Sequence, residues 1–333
     1  MYAIEAPNYR QALYNALQLI LSDGHKSAPR SLATRELQDV TITITHPCDR
    51  VALLPNRRAN IFATVAETLW VLAGRNDLEF IGYYLQRIAD FSDDGLMLHG
   101  AYGPRLRNWR GVNQLTEVIH ILKNDPDSRR AVMILFDPAR DFDMWRKDIP
   151  CNNWMQFSLR DGKLYMRVVS RSMDVIWGST INVFEWTAIQ ELMSRELGVA
   201  LGTYTHFIGS LHLYENFMQR AHDILAHPLN MVQYETIPWD IPLENLDEQL
   251  GQFMAQESAM RTLHPPAPTV FSSYLLQVAT QMCWAYALHK HQEYQQAWEV
   301  IQQLPECDLK AAALDFFSYN KDYLAFTDTH KTT

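Results

Sequence analysis

The chain has no CxxC pair: its four cysteines, Cys48, Cys151, Cys283 and Cys307, stand far apart over 333 residues. That spacing argues against a disulfide framework or a structural zinc site and leaves each sulfur as a free thiol; no metal is expected. No apolar run approaches the roughly 18 residues of a membrane span, and the opening Met1-Tyr2-Ala3-Ile4-Glu5-Ala6-Pro7 lacks a basic stretch followed by an apolar one. The expectation is a cytoplasmic protein with no membrane partner. Basic charge is also short, 29 Lys and Arg against 38 Asp and Glu for a net −9, which disfavours a surface built to follow nucleic acid. Any anion this protein binds must be held locally. No repeat interrupts the chain, and 47% hydrophobic residues suffice for a large core in one big domain or two ordinary ones.

Apolar periodicity places helices over residues 8–21, 61–72, 114–123 and 183–197, the last stopping at Gly198. Thr41-Ile42-Thr43-Ile44-Thr45 alternates as a half-buried strand does, and 131–136 and 154–159 read as further strands. Asp161-Gly162, between Phe157-Ser158-Leu159 and Leu164-Tyr165-Met166, signals a hairpin. Hairpins among strands and helices imply an α+β fold rather than a repeated βαβ array. Asp90 and the acidic residues from Asp137 to Asp143 read as solvated or capping. Beyond about residue 225 prolines at 228, 238, 242, 265, 266 and 268 break the chain, and helical spacing resumes over 273–304 and 308–326. The expected organisation is a catalytic region over 1–225, a proline-containing connection over 226–270 and a helical extension over 271–333.

The chemistry concentrates between residues 150 and 215. Pro150-Cys151-Asn152-Asn153 is followed by Arg171-Ser172-Met173-Asp174, then Gly178-Ser179-Thr180-Ile181-Asn182, then His212-Leu213-Tyr214. A thiol, a guanidinium, an amide and a His/Tyr pair supply a carbon nucleophile, an anion clamp, a heterocycle reader and two hydroxyl binders. His212 and Tyr214, two apart on a strand, face the same way. Together these groups suit a nucleotide whose ring is attacked by sulfur. Singly each has an ordinary structural explanation, a small buried cysteine or a core histidine; six such placements at once favour a site. Glu67 in an apolar helix adds to this, because a buried carboxylate is costly without a use.

These residues resemble the thymidylate synthase family, which includes the pyrimidine nucleotide hydroxymethylases. The likeness runs over about residues 8–225 and also rests on Glu67-Thr68-Leu69-Trp70, on Ala101-Tyr102-Gly103 with Trp109, and on Asp125-Pro126-Asp127-Ser128-Arg129-Arg130. It implies a thymidylate synthase-like α+β fold with a mixed, mainly antiparallel sheet, packed helices and the C-terminal helical extension. It implies a pyrimidine nucleoside monophosphate and 5,10-methylenetetrahydrofolate as substrates. Cys151 would add to C6 of the ring and make C5 nucleophilic, with nearby arginines lowering its pKa. Asn182 would donate to O4 and accept from N3–H of a uracil. Glu67 would move protons through water, and Asp174 would meet the folate pterin or order its water. Arg171 with Ser172 would grip the phosphate, Arg129 and Arg130 would reach it across a homodimer two-fold, and Arg30 would join from a loop. His212 and Tyr214 would hold the sugar; Trp70 and Asp90 would face the folate.

The likeness has gaps. Ala89 and Ser92 stand where tryptophans are expected to shield the C5 methylene, and Phe326-Thr327-Asp328-Thr329-His330-Lys331-Thr332-Thr333 resembles no apolar cap. Asn152, Ser170 and Ser210 replace a histidine, a glutamine and an aspartate. Three functions follow: thymidylate synthase-type methylation of dUMP to dTMP, placed first because the catalytic set is intact; hydroxymethylation, in which water captures the same methylene, with UMP, dCMP or CMP as further substrates; and a non-catalytic nucleotide-binding or interaction protein.

Overall fold

The computed structural model describes residues 1–229, 232–264 and 269–323; the prolines at 265, 266 and 268 and the 326–333 tail lie outside the described residues. A mixed sheet forms the centre, with strand order β1-β3-β8-β6-β5-β4 and with β2 and β7 attached to β3 and β8. Its strands are β1 (Tyr2–Ala6), β2 (His25–Ser27), β3 (Thr34–Ile44), β4 (Val132–Ile134), β5 (Asn152–Arg160), β6 (Lys163–Ser170), β7 (Met173–Asp174) and β8 (Ala200–Tyr214). β1–β3, β6–β8 and β7–β8 run parallel; the other pairs are antiparallel. The 161–162 hairpin forms as expected, with Asp161 at φ 52° and Gly162 at φ 69°, the left-handed pair that a two-residue turn between twisted strands requires.

Helices α1 (Tyr9–Asp23) and α7 (Gly178–Leu197) pack on the sheet and α2 (Ile61–Leu72) packs on α7, with the shorter α3 (Leu78–Tyr84), α4 (Tyr102–Arg107), α5 (Gln114–Asn124), α6 (Pro138–Asp141) and α8 (Met218–Leu225) around them. α2 follows its expected span, started by the Asn60 side chain accepting from Ala63 N–H at 3.0 Å. α7 begins five residues before the expected 183. The Asp174 carboxylate accepts from Ile176 N–H (2.9 Å) and Trp177 N–H (3.3 Å), which turns the chain toward the helix early, and Asn182 stands inside the helix rather than one residue ahead of it. The Ser179 and Thr180 hydroxyls meet Tyr9 Oη at 2.7 and 3.1 Å and are used in packing. Asp141, expected to be solvated or capping, is sealed in an ion pair with Arg105 at 2.6 Å. The guanidinium also donates to the Leu135 carbonyl at 2.6 Å, which supplies the partner a buried carboxylate needs.

The segment taken as a connection carries a helix of its own, α9 (Leu246–Met260), ahead of α10 (Tyr274–Lys290), α11 (Tyr294–Gln302) and α12 (Asp308–Ser318). Leu246, Leu250, Phe253 and Met254 make its apolar stripe. These helices share one core with the sheet region. Phe62 of α2 lies 5.3 to 5.4 Å from the rings of Tyr286, Phe316 and Phe317, and Tyr84 Oη donates to Glu257 at 2.6 Å. The C-terminal helices therefore brace α2, the helix that carries Glu67.

Candidate active site

Cys151 lies at the entrance to β5, directly beside Arg171 at the exit of β6. Arg171 N–H donates to the Cys151 carbonyl at 2.9 Å. Its guanidinium donates to the carbonyls of Pro150 (3.0 Å) and Ile149 (2.8 Å) and stands 3.7 Å from Cys151 Sγ. Two main-chain contacts thus fix the cation beside the sulfur, while the residue stays exposed and free to meet an anion. Cys151 itself is half-buried. Burial raises its thiol pKa, Arg171 and Arg30 oppose the rise, and Asp148 and Asp174 add to it. The expectation that neighbouring cations depress the thiol is corrected for the unliganded protein: desolvation exceeds their pull.

The strand pair β7–β8 sets Asp174 opposite His212. His212 and Tyr214 share a face of β8, their rings 5.0 Å apart at 88°, while Leu211 and Leu213 point into the core. Ser172 Oγ lies 3.4 Å from His212 Nδ1. Burial lifts the Asp174 carboxyl above the usual carboxylate range and lowers the His212 imidazole. Arg30, at φ 51° in the turn before β3, reaches the Lys147 carbonyl at 3.5 Å and pulls on both Cys151 and Tyr214, so it belongs to the same rim.

At the other end Asn182 Oδ1 accepts from Asn152 Nδ2 at 3.1 Å, and that same nitrogen donates to Tyr102 Oη at 2.7 Å. Glu67 has a sealed Oε2 without a hydrogen-bond partner; burial, then the nearby Asp148, pushes its pKa up to about 7. Glu185, one helical turn after Asn182, is fully buried, with the Asn182 side chain the one hydrogen-bonding group among the described residues near enough to favour its charged form, though outside strict hydrogen-bond geometry. Its pKa is raised well above the ordinary range by burial and then by Glu67. Asp148 accepts from Gly100 N–H at 2.7 Å. A Cβ on Gly100 would come within 2.7 Å of that carboxylate, so only glycine allows this approach.

Tyr102, Asp148, Ser170, Glu185 and His206 are contributors that sequence reasoning did not assign. Tyr102 was visible as part of a motif; Glu185 could have been found as a carboxylate one turn from Asn182. Other assignments stand apart. Trp70 is 2% exposed, with its indole N–H on the Asp77 carbonyl at 3.2 Å; the closely packed α2 leaves it no face for a folate. Asp90 is exposed in the 3-10 turn Gln86–Phe91. Arg129 and Arg130 are exposed just before β4. Continuing the β4–β5 register puts Arg130 across from Ser158, roughly 23 Å along the strand from Cys151 at 3.3 Å per residue. Within one chain they do not meet the thiol.

Residues 11–248 match the family model described as thymidylate synthase. The chain belongs to the thymidylate synthase family. Within it, the chain is 36% identical over 226 residues to a deoxyuridylate hydroxymethyltransferase of Bacillus phage SP01, covering 64% of this chain and 59% of that protein. It is 37% identical over 226 residues to one of Delftia phage PhiW-14, covering 64% and 62%, and 35% identical over 235 residues to one of Pseudomonas phage M6, covering 69% and 67%. The chain spans about three fifths to two thirds of the length of these relatives. Membership of a one-carbon transferase family fits the thiol, guanidinium and amide found together, and no described helix is long and apolar enough to cross a membrane.

Proposed function

We propose that the protein is a deoxyuridylate 5-hydroxymethyltransferase that uses 5,10-methylenetetrahydrofolate. Arg171, with Arg30, binds the phosphate, His212 and Tyr214 hold the sugar, and Asn182 reads the uracil edge. The ring presents C6 to Cys151 Sγ, whose thiolate form the Arg171 and Arg30 charges favour. Thiolate addition at C6 moves an electron pair to O4, and C5 then attacks the methylene of the folate, breaking one of its two C–N bonds. The C5 proton leaves to a base, the folate nitrogen departs, and an exocyclic methylene remains on the ring. Water adds to that carbon and the thiolate is expelled, giving the hydroxymethyl nucleotide and tetrahydrofolate. Glu67, with a pKa of about 7, can accept and return protons near neutrality. Arg129 and Arg130 reach the phosphate of the neighbouring subunit in a homodimer.

The observation that favours water over hydride is the 89–92 stretch. Ala89 offers no indole, and the Ser92 side chain is turned inward, donating to the Met97 carbonyl at 2.7 Å and accepting from Gly95 N–H at 2.9 Å. Lys147 ties this stretch to the approach to Cys151, its Nζ donating to the Ser92 carbonyl at 3.0 Å and its N–H to Asp93 at 3.1 Å. At the two positions where an indole would shield the methylene, Ala89 is exposed with only a methyl group and Ser92 is buried, and the phage relatives carry the same activity in their names. Incubation with dUMP and methylenetetrahydrofolate tests this. A product heavier than dUMP by one CH2O, without dihydrofolate absorbance, supports it; dTMP with stoichiometric dihydrofolate returns the enzyme to the synthase reaction.

A further inference from the structure

We infer that a buried hydrogen-bond relay, Tyr204–His206–Ser170–Asn152, sets the direction in which the Asn182 amide faces its ligand and thereby selects uracil over cytosine. This rests on the proposed base-reading role of Asn182 and adds residues that do not touch the nucleotide. Its members come from three neighbouring strands. Tyr204 Oη lies 2.7 Å from His206 Nδ1, and His206 Nε2 lies 2.5 Å from Ser170 Oγ. Ser170 Oγ donates to Asn152 Oδ1 at 2.6 Å, and Asn152 Nδ2 donates to Asn182 Oδ1 at 3.1 Å. Tyr204, His206 and Asn152 are fully buried and Ser170 nearly so.

Proton counting gives the relay a direction. Burial holds the His206 pKa down to about 3, so the ring is neutral and carries one N–H. If that proton were on Nδ1, Tyr204 Oη would be its acceptor, and the tyrosine's own O–H would be a sealed donor with no other partner among the described residues. An unmet buried donor is unfavourable. Tyr204 therefore donates to Nδ1, Nε2–H donates to Ser170, Ser170 donates to Asn152 Oδ1, and Asn152 turns its NH2 toward Asn182 Oδ1. At the far end Tyr102 Oη accepts from Asn152 N–H (3.2 Å) and Nδ2 (2.7 Å). Tyr102 is only partly buried, so its own proton can go to water or ligand, which Tyr204 cannot do.

With Oδ1 of Asn182 held on one side, its other lone pair and its NH2 suit the N3–H donor and O4 acceptor of uracil. Cytosine presents N3 as acceptor and an amino donor at C4, so it needs the amide reversed. Reversal sets the NH2 groups of Asn182 and Asn152 against each other unless every member of the relay reverses, back to the sealed Tyr204 hydroxyl. The preference for uracil is thus spread over four residues beyond Asn182.

Calorimetric affinities for dUMP and dCMP in wild type, Tyr204→Phe and Ser170→Ala test it. The expected result is a wild-type preference for dUMP that falls about tenfold in each variant, mainly through tighter dCMP binding, with dUMP affinity changed less. An unchanged ratio in both variants, or an equal loss for both ligands, overturns the relay while the proposed function stands. A wild type that binds both nucleotides alike overturns the proposed function's uracil reading and the relay with it. Nitrogen NMR of the full-length, histidine-labelled wild type is independent of variant folding: protonation of His206 on Nε2 is expected, and protonation on Nδ1 refutes the relay.

Discussion

Replacing Glu67 with glutamine separates a catalytic carboxyl from a merely tolerated one, because burial has shifted its proton affinity far enough to be read as stability. In the folded protein its pKa rises from 4.5 to about 7, so between those values the native state keeps a proton that the unfolded chain has released. The unfolded state then binds fewer protons, and stability falls as pH rises through that window, levelling off above 7. At 1.36 kcal/mol per pKa unit the rise costs about 3 kcal/mol at pH 8. Asp308 and Asp315, with pKa values raised to about 7 and about 6, titrate in the same range in wild type and variant alike. The informative quantity is therefore the difference between the two proteins at pH 8 minus that at pH 4.5. Urea unfolding should show this double difference favouring Glu67→Gln by up to about 3 kcal/mol, while turnover of dUMP falls by roughly 10²- to 10⁴-fold. Parallel stability–pH curves would refute the buried, proton-holding state of Glu67; unchanged turnover would remove it from the proton path.

Arg171→Ala should weaken dUMP binding by roughly tenfold to a hundredfold and leave binding of deoxyuridine, which has no phosphate, nearly unchanged; equal losses for both would deny it the phosphate. Mixing Cys151→Ala protein with an Arg129→Ala/Arg130→Ala variant, each inactive alone, should restore about a quarter of wild-type activity through mixed dimers having one complete site. No recovery after verified subunit exchange would contradict donation across the two-fold. Phe62→Ala should cost about 3–5 kcal/mol of stability, since that ring joins α2 to the C-terminal helices; a thermal melt lowered by less than a degree would mean those helices do not brace α2.

Much of the fold was legible because its signals are local. The apolar spacing of 61–72 and the Asp161-Gly162 turn each specify their own geometry, and α2 and the hairpin formed where expected. The early start of α7 was hidden because the turn leading into it is fixed by a side chain, Asp174, whose partners are main-chain N–H groups ahead of the helix, while the N-cap position carries no side-chain bond. α9 was obscured by the prolines on either side of it, although its own 15 residues contain none. At the site, Cys151, Arg171 and Asn182 were legible as residue types in a familiar order. Trp70 and Glu67 came from one motif, yet burial has taken the indole into the core. Ser170 looked like a plain departure from a pattern and His206 carried no signal; only strand register makes them neighbours, since Ser170 pairs with Asn152 on one side and with Ile208 on the other.

Release of tritium from [5-3H]dUMP in the presence of methylenetetrahydrofolate tests the covalent step most directly, because C5 exchanges only when sulfur is bonded at C6. Wild type should release tritium and Cys151→Ala should release none. Release at the wild-type rate by Cys151→Ala, or no release by wild type, would contradict nucleophilic attack by this thiol.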